Sequence, residues 1–165
     1  LQGLYFANGV ALGPDDNWVL VNETGASRVS RLWLKGPKAG VSDVFIEGLP
    51  GMPDNISFNG VDTFWVAMPA LRSKEIDALA SYPFVRKLLG GLPAELLVPS
   101  DHYGFVVGLG LDGSVKFNLQ SGAGIYHTVT SVNEYDGHIW LGSLAMPAVA
   151  VLPLPRTMEQ REPVN

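Results

Sequence analysis

An all-β fold assembled from repeated antiparallel meanders is what this sequence predicts, on three observations. Short apolar, β-branched and aromatic stretches alternate with Gly-, Pro- and Asp-rich turns along most of the 165 residues. One pattern starts three times, near residues 8, 54 and 130: a polar residue, a short apolar strand, an Asp/Gly turn, then a strand carrying Trp18, Trp65 or Trp140. The first two starts lie 46 residues apart, within the ~40–50 residue spacing of propeller blades.

In chain order, Val10–Leu12 is an apolar strand stopped by Gly13-Pro14-Asp15-Asp16, and Trp18–Val21 is a second, ended by Thr24-Gly25-Ala26-Ser27. Val29–Leu34 and Val41–Ile46 follow, each closed by Gly and Pro. Four short strands joined by tight turns describe one meander. The second begins at Asp54-Asn55-Ile56-Ser57-Phe58, turns at Asn59-Gly60-Val61-Asp62 and continues through Thr63–Met68. Tyr103–Leu109 and Ser114–Leu119, joined by Asp112-Gly113, complete it after an interruption at about 70–100. Within that interruption Leu71, Lys74, Glu75, Ile76, Asp77, Leu79 and Ala80 recur with helical spacing, and Pro83 can open a second short helix ended by Gly90-Gly91. The third start runs through Thr130–Asn133, His138–Ser143 and Ala148–Leu152. Residues 1–154 therefore read as a partial propeller with a helical insertion, and 155–165 as a loose polar tail.

Three blades do not close a ring, because closed propellers have about 4–8. The opening Leu1-Gln2-Gly3-Leu4-Tyr5 accordingly reads as a chain entered in mid-domain. Composition narrows function. Hydrophobic residues make up 47% and charged residues 16%, which favours burial over disorder. A net charge of −5 without a Lys/Arg run argues against a nucleic-acid partner. The absence of cysteine removes thiol nucleophiles and Cys-ligated zinc. Compartment is not legible.

Three stretches carry a family resemblance: Phe6-Ala7-Asn8-Gly9-Val10-Ala11-Leu12-Gly13-Pro14-Asp15, Leu49-Pro50-Gly51-Met52-Pro53-Asp54-Asn55-Ile56, and Val132–Ser143. They resemble blade openings and the last blade of strictosidine-synthase-like proteins, relatives of paraoxonases and gluconolactonases. The resemblance runs from about Leu1 to Leu154. It implies the C-terminal half of a six-bladed propeller with an axial divalent metal, usually calcium. It also implies that Asn8 and Asp54 occupy two ligand positions and Asn55 a further one. Hard oxygen donors of this kind suit calcium, which takes ~6–8 of them. Other ligands and catalytic histidines of such families would lie in blades that precede residue 1, so the catalytic residues stay unknown. This chain alone is expected to be inactive and to hold calcium weakly.

Other features have plainer readings. Asn8-Gly9 and Asp54-Asn55 taken alone suit turns, and the three tryptophans suit packing between blades. Asp15, Asp16, Asp112 and Asp136 are turn residues, and Ser131 and Ser143 lack a nucleophile-elbow context. His127, Thr130 and Ser131 are candidates to line a substrate pocket. The inner segment His127–Val132 carries no carboxylate, and Glu134 falls at the next turn, which disfavours a Pictet–Spengler condensation. The insertion reads as a lid, as a membrane-touching lip through Leu71, Phe84, Leu88 and Leu89 beside basic residues, or as a plain surface excursion. Two functions follow as expectations: calcium-dependent hydrolysis of a small ester or lactone by the parent propeller, or a non-catalytic module that binds a partner or membrane. Open blade faces are further expected to drive self-association.

Overall fold

The computed structural model describes residues 1–72 and 102–157, whose strands form three antiparallel sheets. The first is the four-stranded meander β1 (Ala7–Leu12), β2 (Trp18–Glu23), β3 (Arg28–Trp33) and β4 (Ser42–Ile46). Asp15 and Asp16 turn the chain between β1 and β2 at φ 53° and 54°, left-handed values that Asp tolerates better than most residues. The second sheet is β5 (Ile56–Phe58), β6 (Thr63–Ala67), β7 (Gly104–Gly110) and β8 (Val115–Ser121). Strands β6 and β7 are neighbours, with Thr63 opposite Gly110 and Ala67 opposite Val106, although a long stretch of chain intervenes. On leaving β6 the chain returns across the loop before β5, where Arg72 N–H donates to the Pro50 carbonyl at 2.9 Å. The third sheet has three strands, β9 (Val129–Tyr135), β10 (His138–Ser143) and β11 (Ala150–Pro153). The helices expected within 70–100 fall almost wholly outside the described residues, as does most of the tail expected to be loose. This is a partial β-propeller, and among the described residues no helix is long and apolar enough to cross a membrane.

Period-two alternation places the middle sheet between the other two. Phe64, Val66, Phe105, Val107 and Leu109 point one way, into Ala11, Leu20, Val29 and Phe45 of the first sheet. Trp65, Ala67, Val106 and Phe117 point the other way, into Val129, Val132, Ile139 and Leu141 of the third. Strands β6 and β7 are buried along their whole length for this reason. Trp65 stacks on Phe117 with centroids 4.8 Å apart. Gly108 makes that stack fit, because a Cβ there would lie 2.6 Å from the Phe117 ring. Of the three tryptophans expected to pack between blades, Trp65 is fully buried between sheets, Trp18 is partly buried against the cluster shared by the first two sheets, and Trp140 is 43% exposed.

The innermost strands β1, β5 and β9 lie next to one another. Gly9 N–H donates to the Asp54 carbonyl at 3.0 Å, and Asn55 N–H to the Thr130 carbonyl at 3.2 Å. Further along, Ser57 Oγ donates to the Val132 carbonyl at 2.6 Å. The N-terminal ends of the three inner strands therefore meet at one mouth. The two flanking sheets each keep an open face. On the first, Val10, Leu12 and Val44 are exposed, and on the third, Tyr135, Trp140 and Val151.

Candidate metal centre

Asn8 and Asp54 meet at that mouth. Ladder pairing between β1 and β2 slips between Ala7 and Val10, an irregularity of the kind that re-aims side chains near sites. Asn8 sits in this slip, and its Nδ2 donates to Asp54 Oδ1 at 2.6 Å. Gly9 permits the approach. A Cβ at residue 9 would lie 2.6 Å from both Asn55 Cα and the Asp54 carbonyl oxygen, backbone atoms that cannot swing aside. On the far side, Asp54 N–H donates to the Ala67 carbonyl at 2.9 Å, tying the residue to β6. The side chain that reaches Asp54 from the first sheet is thus fixed in register by backbone contact between the two sheets.

The electrostatics at Asp54 are those of a carboxylate short of positive charge. Burial pushes its pKa above the ordinary Asp value, and the hydrogen bond from Asn8 only partly opposes this. No Lys, Arg or His among the described residues pairs with it. A half-buried carboxylate with one amide donor and no counter-ion among the described residues suits a divalent cation, whose charge would remove the cost of burial. With Nδ2 spent on Asp54 and, at 3.3 Å, on Thr24 Oγ1, Asn8 has its amide oxygen left to offer. Among the described residues no group of three or more His, Cys, Asp or Glu side chains that could hold a metal ion is found; what Asn8, Asp54 and Asn55 could offer are amide and carboxylate oxygens, the hard donors that calcium takes. The residues present fit such an ion, though they cannot complete its shell of ~6–8 oxygens.

The other expected residues lie along the same mouth. Asn55 is exposed, and its Nδ2 donates to the Thr130 carbonyl at 2.7 Å. That bond links the second sheet to the third and leaves the Asn55 amide oxygen uncommitted. Thr130 thus enters the arrangement through its backbone. His127 lies three residues before Thr130, its Nδ1 2.9 Å from Thr128 Oγ1 and its ring 4.3 Å from that of His102. Ser131 stands opposite Gly142 on β10. An apolar cleft of about 260 Å3 lies elsewhere, between the outer strands of the second and third sheets, lined by Phe105, Leu119, Tyr126, Leu141 and Leu152. Among the described residues its lining lacks Asn8, Asp54 and Asn55 and holds no charged group to orient a substrate.

Sequence reasoning passed over the polar run Asn22-Glu23-Thr24 at the end of β2. Thr24 is buried, and its Oγ1 donates to the Pro53 carbonyl at 2.6 Å. Asn22 is fully buried, and its Nδ2 donates to the Asp54 carbonyl at 2.8 Å. Glu23 points to the opposite face. It is fully buried among Arg28, at 2.7 Å, Ser30 and the Tyr5 N–H. Two polar residues closing a strand whose other members are apolar, with a third directly after it, was the available signal. Glu134 also departs from expectation: it lies within β9, and its Oε2 accepts from Trp65 Nε1 at 2.7 Å and Asn59 Nδ2 at 3.0 Å.

Residues 1–37 match the family model described as strictosidine synthase. Over 161 residues, 93% of the chain, the sequence is 37% identical to adipocyte plasma membrane-associated protein of Danio rerio. It is 37% identical over the same length to Protein STRICTOSIDINE SYNTHASE-LIKE 10 of Arabidopsis thaliana. The human adipocyte plasma membrane-associated protein is 33% identical over 161 residues. The chain spans 39% of the two animal relatives and 43% of the plant one, roughly two fifths of their length.

Proposed function

We propose, for a chain similar over 93% of its length to strictosidine-synthase-like β-propeller proteins, that it supplies part of a calcium site serving hydrolysis of lactones or esters. The observation that carries this reading is Asp54: a half-buried carboxylate at the convergence of the inner strands, bonded to Asn8 and, among the described residues, without a counter-ion. Asn8, Asp54 and Asn55 would hold the ion, another divalent metal being the alternative. When bound, the ion supplies Lewis-acid polarisation of the substrate carbonyl and stabilisation of the oxyanion. Asn55, held by the Thr130 carbonyl, would fix one edge of the site, and His127 would line the approach to it. Glu134 is committed to Trp65 and Asn59 and is not free to act as the base of a Pictet–Spengler condensation, which supports hydrolysis over that chemistry.

The chain covers too little of its relatives to be tested for turnover alone. A chimera in which it replaces the matching 161 residues of the Danio rerio relative supplies the remainder. The expected result is hydrolysis of phenyl acetate or a δ-lactone that needs Ca2+, is stopped by chelation and is lost in Asp54→Asn. A folded chimera that binds Ca2+ and hydrolyses neither substrate would overturn the reading and favour a non-catalytic binding module.

A further inference from the structure

Asn22 occupies a position that costs stability. It is fully buried, and its Oδ1 has no hydrogen-bond partner among the described residues. A buried acceptor without a donor is destabilising, and an apolar residue of the same shape would avoid the loss. Among the described residues its side chain makes one bond, from Nδ2 to the Asp54 carbonyl. For stability that bond is largely redundant, because the same carbonyl already accepts from Gly9 N–H at 3.0 Å. The two donors come from different strands, β1 and β2, so between them they fix where residue 54 sits, not merely whether its carbonyl is satisfied. The carboxylate of the same residue is held by Asn8 from β1, and the preceding Pro53 carbonyl by Thr24 just after β2.

We infer that Asn22 is a positioning residue for the candidate cation site, clamping the Asp54 backbone so that its carboxylate is presented at the mouth. The inference rests on the reading that Asp54 binds a cation. A local rule broken in the core, with its one compensation made to the site, is the pattern expected of a residue retained for function. Partners that orient a ligand from behind typically change metal affinity by about 10–100-fold when removed.

The test uses Tb3+, an oxygen-seeking ion whose luminescence is sensitised by nearby tryptophan, titrated into the 165-residue chain. Asn22→Leu is expected to weaken Tb3+ binding about 10-fold, while the thermal midpoint holds or rises because the orphaned oxygen is gone. Luminescence decay in H2O against D2O is expected to report additional water on the ion, a change that a purely structural role would not produce. Asn22→Ser is too short to reach the Asp54 carbonyl, carries the same expectation for affinity and hydration, and stands in if the leucine variant does not fold. Asp54→Asn separates the two claims. Abolished binding in Asp54→Asn with unchanged affinity and hydration in the Asn22 variants overturns the role of Asn22 and leaves the site standing. Tb3+ binding untouched by Asp54→Asn removes the site itself, and the inference with it.

Discussion

Asn8 Nδ2 donates to Asp54 Oδ1 at 2.6 Å across 46 residues of sequence, and that bond joins the innermost strands of two sheets. Its loss is the first prediction. Asn8→Ala strips the half-buried carboxylate of its side-chain donor and is expected to cost about 1–3 kcal/mol at neutral pH. Chemical denaturation in EDTA measures it. An unchanged midpoint would show that the carboxylate is hydrated well enough not to need the amide.

The second prediction concerns pH. Burial, partly opposed by Asn8, raises the folded pKa of Asp54 above its unfolded value. The folded chain then binds the extra proton in the window between the two values. The stability from this group is fully present below the ordinary Asp range, near ~3.9, and is lost as pH rises through the raised folded value. In metal-free buffer Asp54→Asn removes that slope and is more stable than the parent at neutral pH. A pH series of unfolding curves for the two proteins reads the difference directly, and parallel curves would contradict the assignment.

Glu23 carries the opposite sign. Burial is its largest influence and pushes the pKa up, but hydrogen bonds from Arg28, Ser30 and Tyr5 N–H together hold it below the ordinary Glu value. Its contribution is present above the unfolded value, near ~4.3, and is lost as pH falls through the depressed folded value. Arg28→Met leaves a fully buried carboxylate without its ion pair. Arg28 is 34% exposed, so the expected loss is about 3 kcal/mol, the lower end of the range for broken buried pairs. Urea denaturation at neutral pH checks this, and a loss below ~1 kcal/mol would place the pair among surface bridges.

The bond from Trp65 to Glu134 gives a prediction at the other inter-sheet seam. Trp65 is fully buried, so Glu134→Ala leaves its Nε1–H without a partner at 2.7 Å and also releases Asn59. The expected cost is about 1–3 kcal/mol, seen as a lower thermal midpoint, with Trp65 emission shifting at the new midpoint. A variant as stable as the parent would mean that water reaches the indole.

Much of this architecture could be read from residues. Strand positions in the first sheet, the resumption of the second sheet at Tyr103 and the turn role of Asp15-Asp16 follow from alternation and Gly/Pro/Asp punctuation, which are local signals. The meeting of Asn8 with Asp54 was legible from blade periodicity together with the family resemblance, since equivalent positions on successive inner strands fall side by side. What stayed hidden was non-local. Nothing in the spacing shows that Asn22 reaches into the neighbouring sheet, since a polar residue at a strand end equally suits a turn. Glu134 was misplaced for the same reason. Beside Tyr135-Asp136-Gly137 it reads as a turn residue, and only the buried indole of Trp65 on another sheet explains a carboxylate inside β9.

The reading of the mouth as a metal centre stands or falls with Asp54 as a cation ligand. The direct test is a Ca2+ titration of the 13C-labelled chain, following the Asp54 side-chain carboxyl resonance, with Asp54→Asn used to assign it. With about three of the ~6–8 oxygens in place, binding is expected to be weak, with half-saturation at ~0.1–1 mM or above, and the Asp54 resonance to move saturably with Ca2+. A folded monomer whose Asp54 resonance stays fixed while Ca2+ shifts carboxylates elsewhere would contradict it.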